Sequence, residues 1–217
     1  DEVCVMKEGK IVESGKVKDI FDNPQHSYTV KLLNSIPGKK AELNLENEQL
    51  LTGRKVDIKY PITKNIFGKT VDFLNAVKKV DITIHSGSTT GLVGESGSGK
   101  SSLARALLGI EKAEGNIIFD GRNIHQLNSS ETRTFKKDFQ IVFQDPFGSL
   151  SPRMTIGEIV GEGLRVHEPS LSRDEREKKI IKALEDVELD YSSFSRFPHE
   201  LSGGQRQRVA IARAIIL

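Results

Sequence analysis

The sequence has no tryptophan, two methionines, one cysteine and a formal net charge of only +2 over 217 residues. A lone thiol, Cys4, cannot build an internal disulfide framework, which fits a reducing compartment. So small a net charge gives no support to a nucleic-acid partner. Long apolar runs are also missing. None approaches the roughly 20 residues that a bilayer-crossing helix needs, and the N-terminus lacks the basic start and apolar centre of a secretory signal. The expected location is therefore cytoplasmic. The histidines His26, His85, His125, His167 and His199 show no i, i+4 pairing and no cysteine neighbours at metal-ligand spacing, so structural or solvent-facing roles are expected of them. What remains, 36% hydrophobic and 29% charged residues, is the composition of a globular protein rather than a disordered or membrane-spanning one.

Against that background one stretch stands out. Residues 94 to 101 read Gly-Glu-Ser-Gly-Ser-Gly-Lys-Ser, filling the phosphate-loop pattern G-x-x-x-x-G-K-[S/T] with Gly94, Gly99, Lys100 and Ser101. Glycines let such a loop wrap a phosphate chain with its amide hydrogens turned inward. Lys100 adds positive charge, Ser101 offers a hard oxygen suited to Mg²⁺, and a helix starting near Gly99 presents unpaired N–H groups. A Gly/Ser-rich stretch alone can be a mere flexible loop. Here the flanks favour the phosphate reading: Val80–Ile84 alternates as a strand does, Thr90–Val93 reads as a short buried strand, and Leu103, Leu107 and Ile110 recur at helical spacing.

Along the rest of the chain, Val3–Met6 and Ile11–Glu13 read as two strands around Glu8-Gly9, followed by short helices near 17–21 and 27–33 that Pro24 keeps apart. Residues 37–50 turn polar and read as a linker, so residues 1–36 look like the end of something too short to bury its own core. Strand signals follow at 56–60, 70–84, 115–121 and 139–144. Thr155-x-x-Glu158 and Ser172-x-x-Glu175 have the capping-box form, predicting helices from Ile156 and Arg173. The second should carry Ile180, Leu184 and Val187 on one face, with Asp174–Lys178 and Glu175–Lys179 as i, i+4 ion pairs. A final helix is expected from about Gln205.

Just before that helix, Leu201-Ser202-Gly203-Gly204-Gln205 completes a set. A phosphate loop, a glutamine after a strand, a helical insertion and this pentapeptide, in that order, resemble the ATP-binding cassette (ABC) family. The resemblance implies that the loop, Gly94, Glu95, Ser96, Gly97, Ser98, Gly99, Lys100, Ser101 and Ser102, holds ATP. Lys100 would bind the β and γ phosphates, Ser101 would ligate Mg²⁺ and Ser102 would contact the α phosphate. Gln144 would sense Mg²⁺ and the attacking water, which makes it a metal and catalytic candidate beside Lys100. Tyr60 matches the aromatic residue that stacks on adenine. Leu201 to Gln205 would close over ATP held by another domain. The run Phe143-Gln144-Asp145-Pro146-Phe147-Gly148-Ser149-Leu150-Ser151-Pro152-Arg153-Met154 narrows the resemblance to ATPases of dipeptide and oligopeptide importers, especially fused double-ATPase subunits of the microcin C or oligopeptide type. Met6–Gly15 and Asn23–Thr29 look like the end of one such domain, with Ser27 where the family often has proline.

The fold class expected is α/β: a phosphate-loop NTPase of ABC type with a mostly parallel sheet, an antiparallel β subdomain and a helical subdomain at about 155–201. Residues 1–36 would be the C-terminal tail of a first ATPase domain, 37–50 a linker, and 51–217 an incomplete second domain. The family's metal-orienting aspartate and adjacent glutamate, which belong on a strand after the last helix, are not among these residues, so hydrolysis is expected of the parent protein and instability of the excerpt alone. Implied partners are a second ATPase domain in the same parent chain, transmembrane permease subunits and, indirectly, a periplasmic solute-binding protein, with the protein peripheral on the inner membrane and no nucleic acid. Two alternatives stay open: a nucleotide-binding module without hydrolysis, and a soluble ABC ATPase acting on nucleic acid or ribosomes.

Overall fold

The computed structural model describes residues 1–35, 48–64 and 70–217. The chain divides into two compact units, Asp1–Asn47 and Glu48–Leu217. Residues 37–47 of the stretch read as a linker lie outside the described residues, while Gln49 and Leu50 open the first long strand of the second unit.

In the first unit, β1 (Glu2–Lys7) pairs antiparallel with β2 (Lys10–Lys16), Lys7 opposite Lys10. Between them Glu8 and Gly9 take φ of 51° and 76°, the left-handed pair that matches a two-residue turn to strand twist. Helices α1 (Val17–Asp22) and α2 (Ser27–Asn34) follow. Glu13 ties the hairpin to α2, accepting from the Gln25 N–H at 2.7 Å, the His26 N–H at 3.1 Å and the hydroxyl of buried Thr29. That hydroxyl, then the Gln25 amide, hold the Glu13 carboxyl below its usual range.

The second unit has two apolar centres. In the first, β3 (Gln49–Lys64), β4 (Thr70–His85), β5 (Glu114–Phe119) and β6 (Arg122–Asn123) form an antiparallel sheet in the order β4-β3-β5-β6. Helix α3 (Lys100–Leu107) lays Leu103, Ala106 and Leu107 onto Leu51, Val56, Ile58, Val77 and Ile117. Where β3 bulges beside β5, Gly115 has φ +97° and a Cβ there would sit 2.4 Å from the Lys55 carbonyl oxygen, so only glycine lets the strands approach.

The expected parallel strands are different. All ladders among the described residues are antiparallel. Thr90–Val93, read from sequence as a buried strand, joins no ladder and leaves Val93 93% exposed. Residues 139–143 are likewise unpaired, although the Phe139 ring packs 4.4 Å from Phe119 and 4.5 Å from Phe135. The cause is general: a strand exists only beside a neighbour that satisfies its N–H and C=O groups, and no described residue supplies one to either run. Ile110 also departs from expectation, lying past the end of α3 and exposed.

The second centre is helical. The helices in order are α4 (Ser129–Asp138), α5 (Pro146–Ser149), α6 (Ile156–Val160), α7 (Glu162–His167), α8 (Arg173–Asp186) and α9 (Gly203–Ile215); α6 to α9 supply most of the buried side chains of this centre, while Phe135 of α4 packs on Phe119 and Phe139 beside the sheet. Ile156, Ile159, Val160, Leu164, Leu184 and Val209 are fully buried there. The cluster runs from Leu150 to Ala212, so it includes the final helix as well as the insertion at 155–201. Thr155 with Glu158 and Ser172 with Glu175 form the capping boxes that the sequence suggests, and Asn128 with Glu131 forms one more.

Capping changes the ion pairs. Glu175 is held by Ser172, so Lys179 turns to Glu168, which also accepts from Lys137 of α4 at 3.1 Å; the i, i+4 pair on α8 is Lys182–Asp186 at 2.7 Å. Lys179, then Lys137, hold the Glu168 carboxyl below its usual range. Burial, with Arg133 and Lys137 nearby, lowers His167. The two signs agree. A carboxylate with a lowered folded pKa stabilises above its unfolded value and loses that contribution as pH falls through the folded one; a histidine kept neutral likewise favours folding at higher pH. Thermal stability should therefore fall as pH drops below about 6.5, first through His167 and then, below about 4.5, through Glu168, with the second part less steep in Glu168→Gln, as scanning calorimetry across pH would record.

Candidate nucleotide-binding site

The loop from Gly94 to Lys100 lies between the exposed run at 90–93 and α3. Its glycines take the positive φ that a phosphate cradle needs and that only glycine adopts freely: +154° at Gly94, +80° at Gly97 and +92° at Gly99. Gly99 also has a packing reason. A Cβ there would stand 2.2 Å from the Ala76 carbonyl oxygen of β4, so the loop's last glycine lets α3 seat against the sheet. At Gly97 a Cβ would meet nothing within 4 Å, which leaves backbone conformation as its only described requirement.

Lys100 folds back across the loop. Its ammonium donates to the carbonyl oxygens of Gly94 at 2.8 Å and Glu95 at 2.6 Å and to Ser98 Oγ at 3.3 Å. A polyanion would meet this charge already centred in the loop. No side chain caps the start of α3, whereas α4, α6, α8 and α9 each carry a capping box. The first-turn N–H groups of α3 are thus left to an external acceptor. Ser101 is exposed and Ser102 half-buried in that turn. Tyr60, on β3 opposite Leu74, reaches this turn and donates its phenol to Ser102 Oγ at 3.1 Å. The structure therefore brings together Tyr60, the loop, Lys100, Ser101 and Ser102.

Gln144 stands apart, exposed at a bend before α5. From the far end of α9, Arg213 donates to the Ser149 carbonyl at the end of α5 at 2.7 Å, linking the final helix to the segment that follows Gln144. No local spacing in the sequence indicates this contact, because the two residues lie 64 positions apart.

The pentapeptide splits into inward and outward parts. Leu201 is buried in the helical core, and Gln205 accepts from the Ser202 N–H at 2.9 Å while Ser202 Oγ accepts from the Gln205 N–H at 3.3 Å. Gly203 and Gly204 are exposed, and a Cβ on either would touch nothing. Nothing inside the described fold requires glycine at these two positions, so any requirement comes from a surface that approaches them.

A magnesium ion fits this donor set. It keeps several waters and takes one or two protein oxygens plus phosphate oxygens, and Ser101 supplies such an oxygen in the first turn beside Lys100. Among the described residues no group of three or more His, Cys, Asp or Glu gathers to hold a metal without a nucleotide.

The family model described as "ABC transporter" matches residues 77–217. The chain belongs to the ABC transporter family. A second model, "Oligopeptide/dipeptide transporter, C-terminal region", matches residues 12–57. The peptidoglycan transport ATP-binding protein YejF of Agrobacterium fabrum is 46% identical over 218 residues, covering 100% of this chain and 40% of the relative. The glutathione import ATP-binding protein GsiA of Pectobacterium atrosepticum is 38% identical over 245 residues, covering 100% of this chain and 39% of the relative. Among solved structures, the ATP-binding cassette MJ0796, dimeric in a post-hydrolysis state bound to ADP and Pi, aligns with TM-score 0.66 and 30% identity over 77% of this chain and 69% of that one. The ABC fold is thus shared although the parallel ladders are not formed. The chain spans about 40% of the length of the curated relatives that it matches.

Proposed function

We propose that this chain binds ATP with Mg²⁺, and that the protein carrying it hydrolyses ATP to drive import of peptides or peptide-like solutes across the inner membrane. The observation that carries the reading is the loop of positive-φ glycines with Lys100 folded across it, in front of an uncapped helix. The names of the relatives, transport and import ATP-binding proteins, support the direction and the solute class.

In this reading Tyr60 stacks on adenine, the loop amides and Lys100 hold the β and γ phosphates, Ser102 meets the α phosphate, and Ser101 with Gln144 serves the metal. Magnesium, when bound, neutralises phosphate charge during transfer. Gln144 lies on a segment that Arg213 ties to α9, which offers a mechanical route between nucleotide and signature. Gly203 and Gly204, open to approach, suit a clamp on the ATP of a second ATPase domain, as the dimeric MJ0796 cassette suggests.

The domain reading is residues 1–36 as the tail of a first ATPase domain, 37–50 as a linker and 51–217 as a second domain. The order of the two matched models and the division after Asn47 support it. Partners in this reading are the first ATPase domain, permease subunits and, indirectly, a periplasmic solute-binding protein, with the ATPase on the cytoplasmic face. No helix among the described residues is long and apolar enough to cross a membrane itself.

The test is ATP titration with and without Mg²⁺ on the protein that carries this chain. Lys100→Ala should weaken binding at this site by about 10- to 100-fold, the loss expected when hydrogen bonds to a charged group disappear. Equal affinity in the two proteins would overturn the assignment.

A further inference from the structure

The bond between Tyr60 and Ser102 joins two residues with separate duties in the nucleotide reading, one at the base and one at the phosphate. They lie 42 positions apart in sequence and on different elements, β3 and α3. Tyr60 is half-buried, its ring packed against the sheet core that α3 covers. Its hydroxyl emerges at the first turn of α3, 3.1 Å from Ser102 Oγ.

The direction of that bond has a chemical consequence. A phenol, with a pKa near 10, is far more acidic than an aliphatic alcohol and is the better donor of the two. Ser102 therefore accepts from Tyr60 and keeps its own proton free to donate. A serine early in a helix otherwise rotates among several staggered positions, some of which spend its proton on a backbone carbonyl of the preceding turn. The Tyr60 bond removes that competition and selects a rotamer whose proton remains available to an anion held at the helix start.

We infer that Tyr60 is a positioning residue for the phosphate end of the site through its hydroxyl, in addition to any contact of its ring with the base. This inference rests on the nucleotide reading above. It distinguishes tyrosine from other aromatics at this position: phenylalanine offers the same face to a purine but cannot orient Ser102. The hydroxyl also couples the two ends of the site, because the strand that sets the ring sets the serine as well.

The experiment compares ATP with inorganic tripolyphosphate, a probe with no base, binding to the protein that carries this chain; Lys100→Ala defines the signal from this site. Tyr60→Phe should weaken both ligands by the same factor, about 2- to 10-fold, the range for one hydrogen bond. The ratio of ATP to tripolyphosphate affinity and the melting temperature should stay unchanged. Ser102→Ala should produce a similar loss, and the double variant Tyr60→Phe/Ser102→Ala should lose no more than Ser102→Ala alone. Wild-type affinity in Tyr60→Phe, a loss confined to ATP, or losses that multiply in the double variant would each overturn the inference while leaving the nucleotide reading intact. If the wild type binds ATP no better than Lys100→Ala, both fall together.

Discussion

Gly99→Ala should abolish measurable ATP binding, a loss beyond 100-fold, while the helical core stays folded. Two independent penalties meet at this residue. Its φ of +92° lies in the left-handed region, where a non-glycine residue is strained by about 1–3 kcal/mol. Its Cβ would stand 2.2 Å from the Ala76 carbonyl oxygen and 3.2 Å from Val77 Cγ2, both on β4. The nearest obstacle is backbone, and the Val77 side chain beside it is short, β-branched and buried, so nothing flexible can move aside. The chain must therefore leave the left-handed region, which unwinds the first turn of α3, or lift α3 from the sheet. Either response scatters the N–H groups at the helix start and releases Lys100 from the Gly94 and Glu95 carbonyls. Gly97→Ala is the informative comparison, since Gly97 has φ +80° and open space around it. It should lose less than Gly99→Ala in the same titration. Equal losses at both positions would make conformation, and not seating against β4, the whole requirement.

Leu184→Ala should destabilise the second unit by about 2–5 kcal/mol, as truncation of a fully buried leucine does. Leu184 is 0% exposed on α8, which packs on both α6 and α9. The cavity would thus open among the helices that support Leu201 and the signature turn. Calorimetry should show the melting temperature falling by on the order of 10 °C. Leu184→Met, which nearly conserves volume, should fall by much less. A Leu184→Ala protein melting within a degree of wild type would show that this cluster does not hold the unit together.

Much of the architecture was legible because its signals are local. A capping box needs only four residues, so Thr155–Glu158 and Ser172–Glu175 marked the starts of α6 and α8 in advance. The Gly-rich loop was legible for the same reason: its φ values are demanded by the motif and found at Gly94, Gly97 and Gly99. Charges were harder to place. Glu175 had two local uses, a cap and an ion pair with Lys179, and its carboxylate went to the cap, where it accepts from the Ser172 N–H and hydroxyl at the helix start. Lys179 then bonded Glu168, eleven residues back, a partner that no helical spacing indicates.

The sequence by itself determined which residues form the glycine-rich loop at 94–101 and the turn at 201–205, and where the capped helices begin, since these depend on backbone conformation and contacts within a few residues. Only the tertiary structure decided which distant groups meet them. Tyr60 reaches Ser102, Arg213 reaches Ser149, and Gly99 presses on Ala76 because a sheet and two apolar clusters bring separate elements within bonding distance. The strand-like run at 90–93 marks the boundary between the two kinds of knowledge. Its composition favours a strand, but a strand is a property of a pair, and no described residue pairs with it.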